Sequence, residues 1–211
     1  VLSNNDGCII SRSNEAKKLG VEMAGPYFKA KPLIEKYDVA VFSSNYNLYG
    51  DLSWRVMETL RILLGKNKVE VYSVDEAFLD LSIFPENELP AIAEKIKKIV
   101  ETWTGIKVSV GVAPTKVLAK VANRLSKKYV QQYNGVMVLN SKEKIIAALK
   151  QTEVGDIWGI GYQYAQKLKE QWSIYDALQL SRMSEEFGKI YLGGVVGSRL
   201  LRELKGIPSK D

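Results

Sequence analysis

Histidine is absent from this 211-residue chain, and cysteine occurs once. Without an imidazole, most zinc-site chemistry and the nucleophile systems that need a histidine base are excluded. The lone thiol, Cys8, cannot form an internal disulfide; it fits a reducing cytoplasm and reads as a packed side chain. No run approaches the roughly twenty apolar residues of a membrane span, and no signal-peptide pattern is visible, so no membrane partner and a cytoplasmic location are expected. Acid is missing from one long block. Residues 102–140 contain no Asp or Glu, yet carry Lys107, Lys116, Lys120, Arg124, Lys127 and Lys128. That is an electrostatic footprint for phosphate, in a chain whose net charge of +6 already favours anionic partners. An initial methionine is lacking too, and Val1-Leu2-Ser3 reads as the tail of a strand, so an upstream segment is expected.

What is present suffices for one large domain or two small ones, with 46% hydrophobic residues to build a core. The stretch that organises the rest is 69–81. It reads as two short strands either side of a reversal near Asp75-Glu76, since Glu70, Tyr72 and Val74 alternate with Val69, Val71 and Ser73. Adjacent side chains on a regular strand point to opposite faces, so the two acids can share a ligand only because the backbone turns between them. A carboxylate pair beside Val74 and Ala77-Phe78 is costly to desolvate unless a cation neutralises it. A hard ion such as Mg²⁺ takes one or two protein carboxylates and completes its shell with phosphate oxygens and water. The competing interpretation is a solvated hairpin tip, because acids are common in turns.

Asn4-Asn5-Asp6-Gly7 predicts a turn, with Asp6 a turn residue, and Cys8-Ile9-Ile10-Ser11 a strand paired with the first three residues. Residues 13–20 predict a short helix capped by Ser13 or Asn14 and closed by Gly20. Pro32 is expected to open a helix to Tyr37, and 39–42 to form a small strand. Leu48, Leu52, Val56, Leu60 and Leu63 recur at helical spacing until Gly65. A second helix is expected from about Leu89 with Ile92, Ile96, Ile99 and Trp103 on one face, then a strand at 108–112, a basic helix at 116–128, a strand at 136–138 and helices at 142–149 and 162–171. This order is that of an α+β fold, a ferredoxin-like β-α-β-β-α-β sheet whose first strand is partly or wholly missing, with residues 12–45 as an insertion. The turn Gly159-Ile160-Gly161 before the last of these helices has the form of a helix-hairpin-helix. Its backbone N–H groups can hold a DNA phosphate without reading sequence, although a tight helical connection needs glycine on steric grounds as well.

Six stretches in order carry a resemblance: 3–8 (SNNDGC), 14–21 (NEAKKLGV), 42–46 (FSSNY), 72–78 (YSVDEAF), 115–123 (TKVLAKVAN) and 157–161 (IWGIG). On these the chain closely resembles the Y-family translesion DNA polymerases, of the UmuC type that forms the catalytic subunit of bacterial error-prone polymerase. The resemblance implies DNA-templated nucleotidyl transfer in error-prone repair synthesis of the SOS type. Asp75 and Glu76 would be catalytic and would help hold two Mg²⁺ ions. Ser11, Asn14, Lys17 and Lys127 would contact the incoming deoxynucleoside triphosphate. Ser73, Lys116, Lys120, Gly159, Gly161 and Lys167 would lie along the primer-template DNA. It further implies a palm in residues 1–11 and 46–140, fingers in 12–45 and a helix-hairpin-helix thumb in 141–211. A UmuD-type accessory subunit, a recombinase filament and a sliding clamp would be partners of the intact protein.

Two departures qualify the match. The family's N-terminal strand, with another metal-binding aspartate and an aromatic residue that screens out ribonucleotides, is not in this sequence. Asp6, Asp51 and Asp80 lie in the wrong local contexts to replace that aspartate. The chain also stops before the family's little finger and clamp motif, so the 211-residue piece is expected to be nearly inactive by itself. Two competing functions remain: another ferredoxin-like catalyst such as a nucleotide cyclase, which gives no reason for a helix-hairpin-helix, and a non-catalytic DNA-binding module.

Overall fold

The computed structural model describes residues 1–3 and 7–209, so the turn predicted at Asn4-Asn5-Asp6 lies outside the described residues. The chain divides into two compact units, Val1–Leu52 and Ser53–Asp211. In the first, β1 (Leu2–Ser3) runs antiparallel to β2 (Ile9–Ser11), with Leu2 opposite Ser11 and Ser3 opposite Ile9, as the sequence predicts. Helix α1 (Asn14–Lys18) starts at Ser13, whose hydroxyl accepts the Ala16 N–H at 3.2 Å, and Gly20 follows it with φ +88°. Helix α2 (Tyr27–Lys36) opens on Pro26, not on Pro32, which lies inside it. Pro26 already has the extended backbone of a helix entry, so the break at Gly25-Pro26 starts the helix half a dozen residues early. Strand β3 (Phe42–Ser43) pairs parallel with β1, Leu2 opposite Phe42. Ile9, Ala16, Val21 and Ile34 form this unit's core. Cys8 is half-buried here.

β1 and β2 thus make their sheet with β3, and the boundary between the two compact units falls at Leu52/Ser53. Helix α3 (Tyr46–Leu64) crosses that boundary and ends before Gly65, at φ +94°. Its buried stripe lies in its second half: Met57 and Leu60, with Val56 and Leu64 beside them, while Leu48 is exposed. In the second unit β4 (Val69–Val71) and β5 (Ala77–Leu79) form the predicted antiparallel hairpin, Val69 opposite Leu79 and Val71 opposite Ala77. Helix α4 (Leu89–Thr104) follows, then β6 (Val110–Val112), α5 (Lys116–Lys128), the short α6 (Val130–Tyr133) and β7 (Val136–Val138), which runs parallel to β6.

Among the described residues the hairpin and the β6–β7 pair are separate ladders. One helix covers both. Ile96 and Val100 of α4 pack with Met57, Leu60, Ala77 and Leu79, whereas Ala93 packs with Val112 and Val136. The sequence predicts one ferredoxin-like sheet with its first strand partly or wholly missing; among the described residues the hairpin and the β6–β7 pair are instead joined through α4. Trp103 is 58% exposed, because the buried face of α4 turns through Ala93, Ile96 and Val100 and leaves the last turn outside.

The remaining helices are α7 (Lys142–Lys150), α8 (Tyr162–Trp172), α9 (Ala177–Ser181), α10 (Glu185–Tyr191) and α11 (Val195–Leu204). They close on a core that includes Leu149, Ile157, Ile160, Leu168, Leu180 and Leu201, and into which α5 sends Val117 and Leu118. On its other flank α5 packs Val121, Ala122 and Leu125 against Leu139 and Ala148. The basic helix is therefore anchored on two apolar faces, and its polar stripe is the side left over.

Candidate active site

The reversal between β4 and β5 is tight. Both Tyr72 and Ser73 donate their backbone N–H to the Glu76 carbonyl at 3.0 Å, so the four residues 73–76 form the tip. Ser73 Oγ donates to Asp75 Oδ1 at 2.7 Å and accepts the Asp75 N–H at 3.3 Å, which fixes Asp75 on the outside of the tip, exposed. Glu76, at the start of the returning strand, is half-buried and ion-paired with Lys120 Nζ. The turn breaks the strand alternation between the two acids: Asp75 is held by Ser73 on the outside of the tip, and Glu76 is held by Lys120.

Opposite them runs the polar stripe of α5. Lys116, Lys120 and Arg124 recur every four residues, which places them in a row along one face. Each meets a carboxylate: Lys116 Nζ lies 2.6 Å from Glu70 Oε2, Lys120 pairs with Glu76, and Arg124 pairs with Asp156. Behind these ion pairs sits an aromatic cluster. Tyr72 and Trp158 meet edge to face at 5.4 Å, and Phe78 completes the triangle at 5.7 Å from Tyr72 and 5.6 Å from Trp158. Lys116 Nζ stands 5.3 Å from the Phe78 ring, and Lys120 Nζ stands 5.8 Å from both Tyr72 and Trp158. The close seat of α5 depends on Gly111 of β6. A Cβ there would come within 2.3 Å of Asn123 N and 2.4 Å of Ala119 O.

Trp158 leads directly into the glycine turn. Gly159 adopts φ +99°, a conformation that demands glycine, and Ile160 is buried in the core. Gly161 is the N-cap of α8 and supplies no side-chain cap, so the first turn of α8 offers its N–H groups outward. Lys167 is exposed on the same helix. In the first unit, Ser11 ends β2, and Asn14 and Lys17 lie three residues apart on α1; all three are exposed. Lys127 is exposed in the last turn of α5.

Asp80 is bound by Lys68 Nζ at 2.6 Å and accepts the Ser82 N–H at 2.9 Å. The lysine above all, with the Ser82 hydrogen bonds, holds its carboxyl well below the usual carboxylate range. It is thereby committed to the base of the hairpin. Among the described residues no group of three or more His, Cys, Asp or Glu side chains converges as a metal cage. Asp75 and Glu76 are nonetheless the right donor set for a hard cation that takes one or two carboxylates and fills its shell with phosphate and water.

Sequence reasoning missed Glu70, Asp156, Tyr72, Phe78 and Trp158 as part of this site. The signal was available only in part: basic residues every fourth position on a helix, and Glu70 and Tyr72 on alternate positions of a strand, predict two rows but not that they face one another.

Known proteins resemble this chain in sequence and in fold. The impB/mucB/samB family model matches residues 1–124. The chain is 42% identical to Protein UmuC of Salmonella typhimurium over 209 residues, covering 99% of this chain and 49% of that protein. It is 31% identical to DNA polymerase IV of Staphylococcus aureus, covering 99% of this chain and 61% of that one. Among solved structures, an insertion ternary complex of Dbh DNA polymerase superposes with a TM-score of 0.78 at 26% identity, covering all of this chain and 61% of that one. The chain spans about half the length of the UmuC-like relatives it matches.

Proposed function

The chain belongs to the impB/mucB/samB family, and on that premise we propose that it is the part of a UmuC-type translesion DNA polymerase that carries two catalytic carboxylates and a grip on duplex DNA. The observation that carries this reading is the Asp75-Glu76 tip, with Glu76 paired to Lys120 of α5 and the neighbouring Tyr72 packed on Trp158, the residue before the glycine turn. The palm would comprise residues 46–140 with 1–11, the fingers 12–45, and the thumb 141–211.

Asp75 and Glu76 would hold a divalent cation, with Mg²⁺ as the physiological ion and two such ions in the intact site. Bound there, the ions would activate the primer 3′-hydroxyl and stabilise the leaving pyrophosphate. The chain's own contribution is positional. The Ser73 hydroxyl holds Asp75, Lys120 holds Glu76, and the two cross-turn hydrogen bonds to the Glu76 carbonyl keep the tip closed. Ser11, Asn14, Lys17 and Lys127 would meet the triphosphate of a deoxynucleotide. The Gly159–Gly161 turn, the open N-terminus of α8 and Lys167 would take the backbone of primer-template DNA. A UmuD-type accessory subunit, a recombinase filament, a sliding clamp and a cytoplasmic location are proposed for the whole protein on the same resemblance. No described helix is long and apolar enough to cross a membrane.

The test is Mg²⁺-dependent primer extension by the protein at the length of its relatives, beside its Asp75→Ala variant and the 211-residue chain. Asp75→Ala is expected to lose extension by at least about a hundredfold while retaining duplex binding, since an oriented transition-state charge contact is worth about that much. The 211-residue chain is expected to bind duplex and extend poorly. Duplex binding by all three proteins without extension by any would leave a non-catalytic DNA-binding module as the function.

A further inference from the structure

Lys120 is held more tightly than an ordinary surface lysine. Its ammonium meets Glu76 Oε1 on one side and lies near two aromatic rings, Tyr72 and Trp158, that are themselves packed edge to face. Ring faces attract a cation, so the two rings add to the pull of Glu76 on the ammonium. Lys120 comes from the middle of α5, whose buried side is fixed by Val117, Leu118, Val121 and Ala122, so its ammonium is a positive charge anchored at Glu76, the neighbour of Asp75 in the chain. Two carboxylates with one ammonium against them carry a net charge of −1, not −2.

That arithmetic has opposite consequences for two ligands. A lone divalent cation is repelled by the ammonium, whereas a triphosphate arriving with its divalent cation is attracted by it. We propose that Lys120, gripped by Tyr72 and Trp158, is a specificity-determining counter-charge that makes the Asp75–Glu76 site select the cation–nucleoside triphosphate complex over the free divalent cation. The inference rests on the reading of Asp75 and Glu76 as metal-binding acids. It assigns Trp158 as a positioning residue that acts through Lys120, and it separates Lys120 from Lys116, whose carboxylate partner Glu70 lies on the strand and outside the tip.

The test compares the wild-type 211-residue chain with Lys120→Met, which keeps a long apolar stem without the charge, and Lys120→Arg, which keeps the charge. Binding of Mn²⁺ alone is followed by the electron paramagnetic resonance signal of the free ion. Binding of a deoxynucleoside triphosphate is followed by calorimetry with Ca²⁺ as the non-reactive divalent cation. Lys120→Met is expected to bind Mn²⁺ about threefold to fivefold more tightly, and the Ca²⁺–triphosphate complex weaker by a similar factor, the scale of a partly exposed ion pair. Lys120→Arg is expected to match wild type in both. A merely structural lysine would weaken both ligands together, so shifts of the same sign, or no shift, overturn the inference. Mn²⁺ binding that is absent from wild type, or unchanged by Asp75→Ala and Glu76→Gln, overturns this inference and the metal reading of the acid pair alike. Loss of Mn²⁺ binding in those two variants, with no opposed shifts in Lys120→Met, overturns this inference alone.

Discussion

Glu101 ties the end of α4 to the strand segment that follows it. Its Oε1 accepts from Lys97 Nζ at 2.9 Å and from the Val108 N–H at 3.2 Å. The Lys97 ammonium is the main influence that holds its carboxyl below the ordinary value of 4.5, with the Val108 N–H and the charge of Lys107 adding to it and burial opposing. A folded-state pKa below the unfolded one means that the stabilisation is fully present above about pH 4.5 and is lost as pH falls through the lower, folded value. Glu101→Gln should therefore be less stable than wild type in urea at pH 7, and the difference should shrink below pH 4.5 and disappear in stronger acid. A difference that persists undiminished to pH 3 would show that the side chain acts by shape instead of charge. Glu203 does a related task in the core of the second unit. It is 1% exposed, its Oε2 accepts the Val117 N–H in the first turn of α5, and its backbone carbonyl accepts from the Thr115 hydroxyl. Glu203→Ala leaves the Val117 N–H without this acceptor in a dry environment and should cost about 2 kcal/mol. A lower urea midpoint at unchanged slope would record it.

Helix α5 has to sit close to β6 for its cations to reach the hairpin, and Gly111 is the residue that allows it. Any Cβ at 111 would overlap the backbone of α5 at Ala119 and Asn123, where no side-chain rotation can relieve the clash. Gly111→Ala is expected to destabilise the chain by about 1–3 kcal/mol and to push α5 outward. Weakened Lys120–Glu76 and Lys116–Glu70 pairs would then appear as altered lysine side-chain signals in NMR spectra. An alanine variant with wild-type stability would mean that β6 moves instead. The limits of α5 could be read in the sequence, since Thr115 caps it, Lys127 and Lys128 close it and acid is absent throughout; the hairpin, α3, α4, β7 and α8 were legible on similar local grounds. What local pattern could not supply was which faces meet. The pairs Lys116–Glu70 and Lys120–Glu76 span 46 and 44 residues, and they decide that two rows readable singly become one site. Pro32 misled because its fixed φ suits a helix start, whereas Pro26 was the better start and the helix tolerates the later proline. Leu48 and Trp103 misled because periodicity marks a stripe without saying how far along the helix its partner extends.

The charge of the whole chain also looks different once the pairs are known. Of the +6 net charge, the acid-free block 102–140 is the obvious reservoir, yet three of its cations already hold carboxylates of the same chain. Lys127 and Lys167, both exposed, form no ion pair among the described residues. An already paired lysine must give up its carboxylate before it can meet a phosphate, so it releases fewer counter-ions from DNA than an exposed one. For duplex binding by the 211-residue chain, the plot of log affinity against log salt concentration should therefore lose about one unit of slope in Lys167→Ala, with little change in Lys116→Ala or in Lys127→Ala, whose proposed partner is the triphosphate and not the duplex. Fluorescence anisotropy with a labelled duplex between 50 and 300 mM salt is the measurement. If Lys116→Ala lowers the slope as much as Lys167→Ala does, the Lys116–Glu70 pair opens on the duplex, and the cation row of α5 is a DNA contact surface and not the internal frame of the acid pair. If the slope falls only with Lys167, the duplex touches this chain along α8, and the paired row of α5 serves the carboxylates alone.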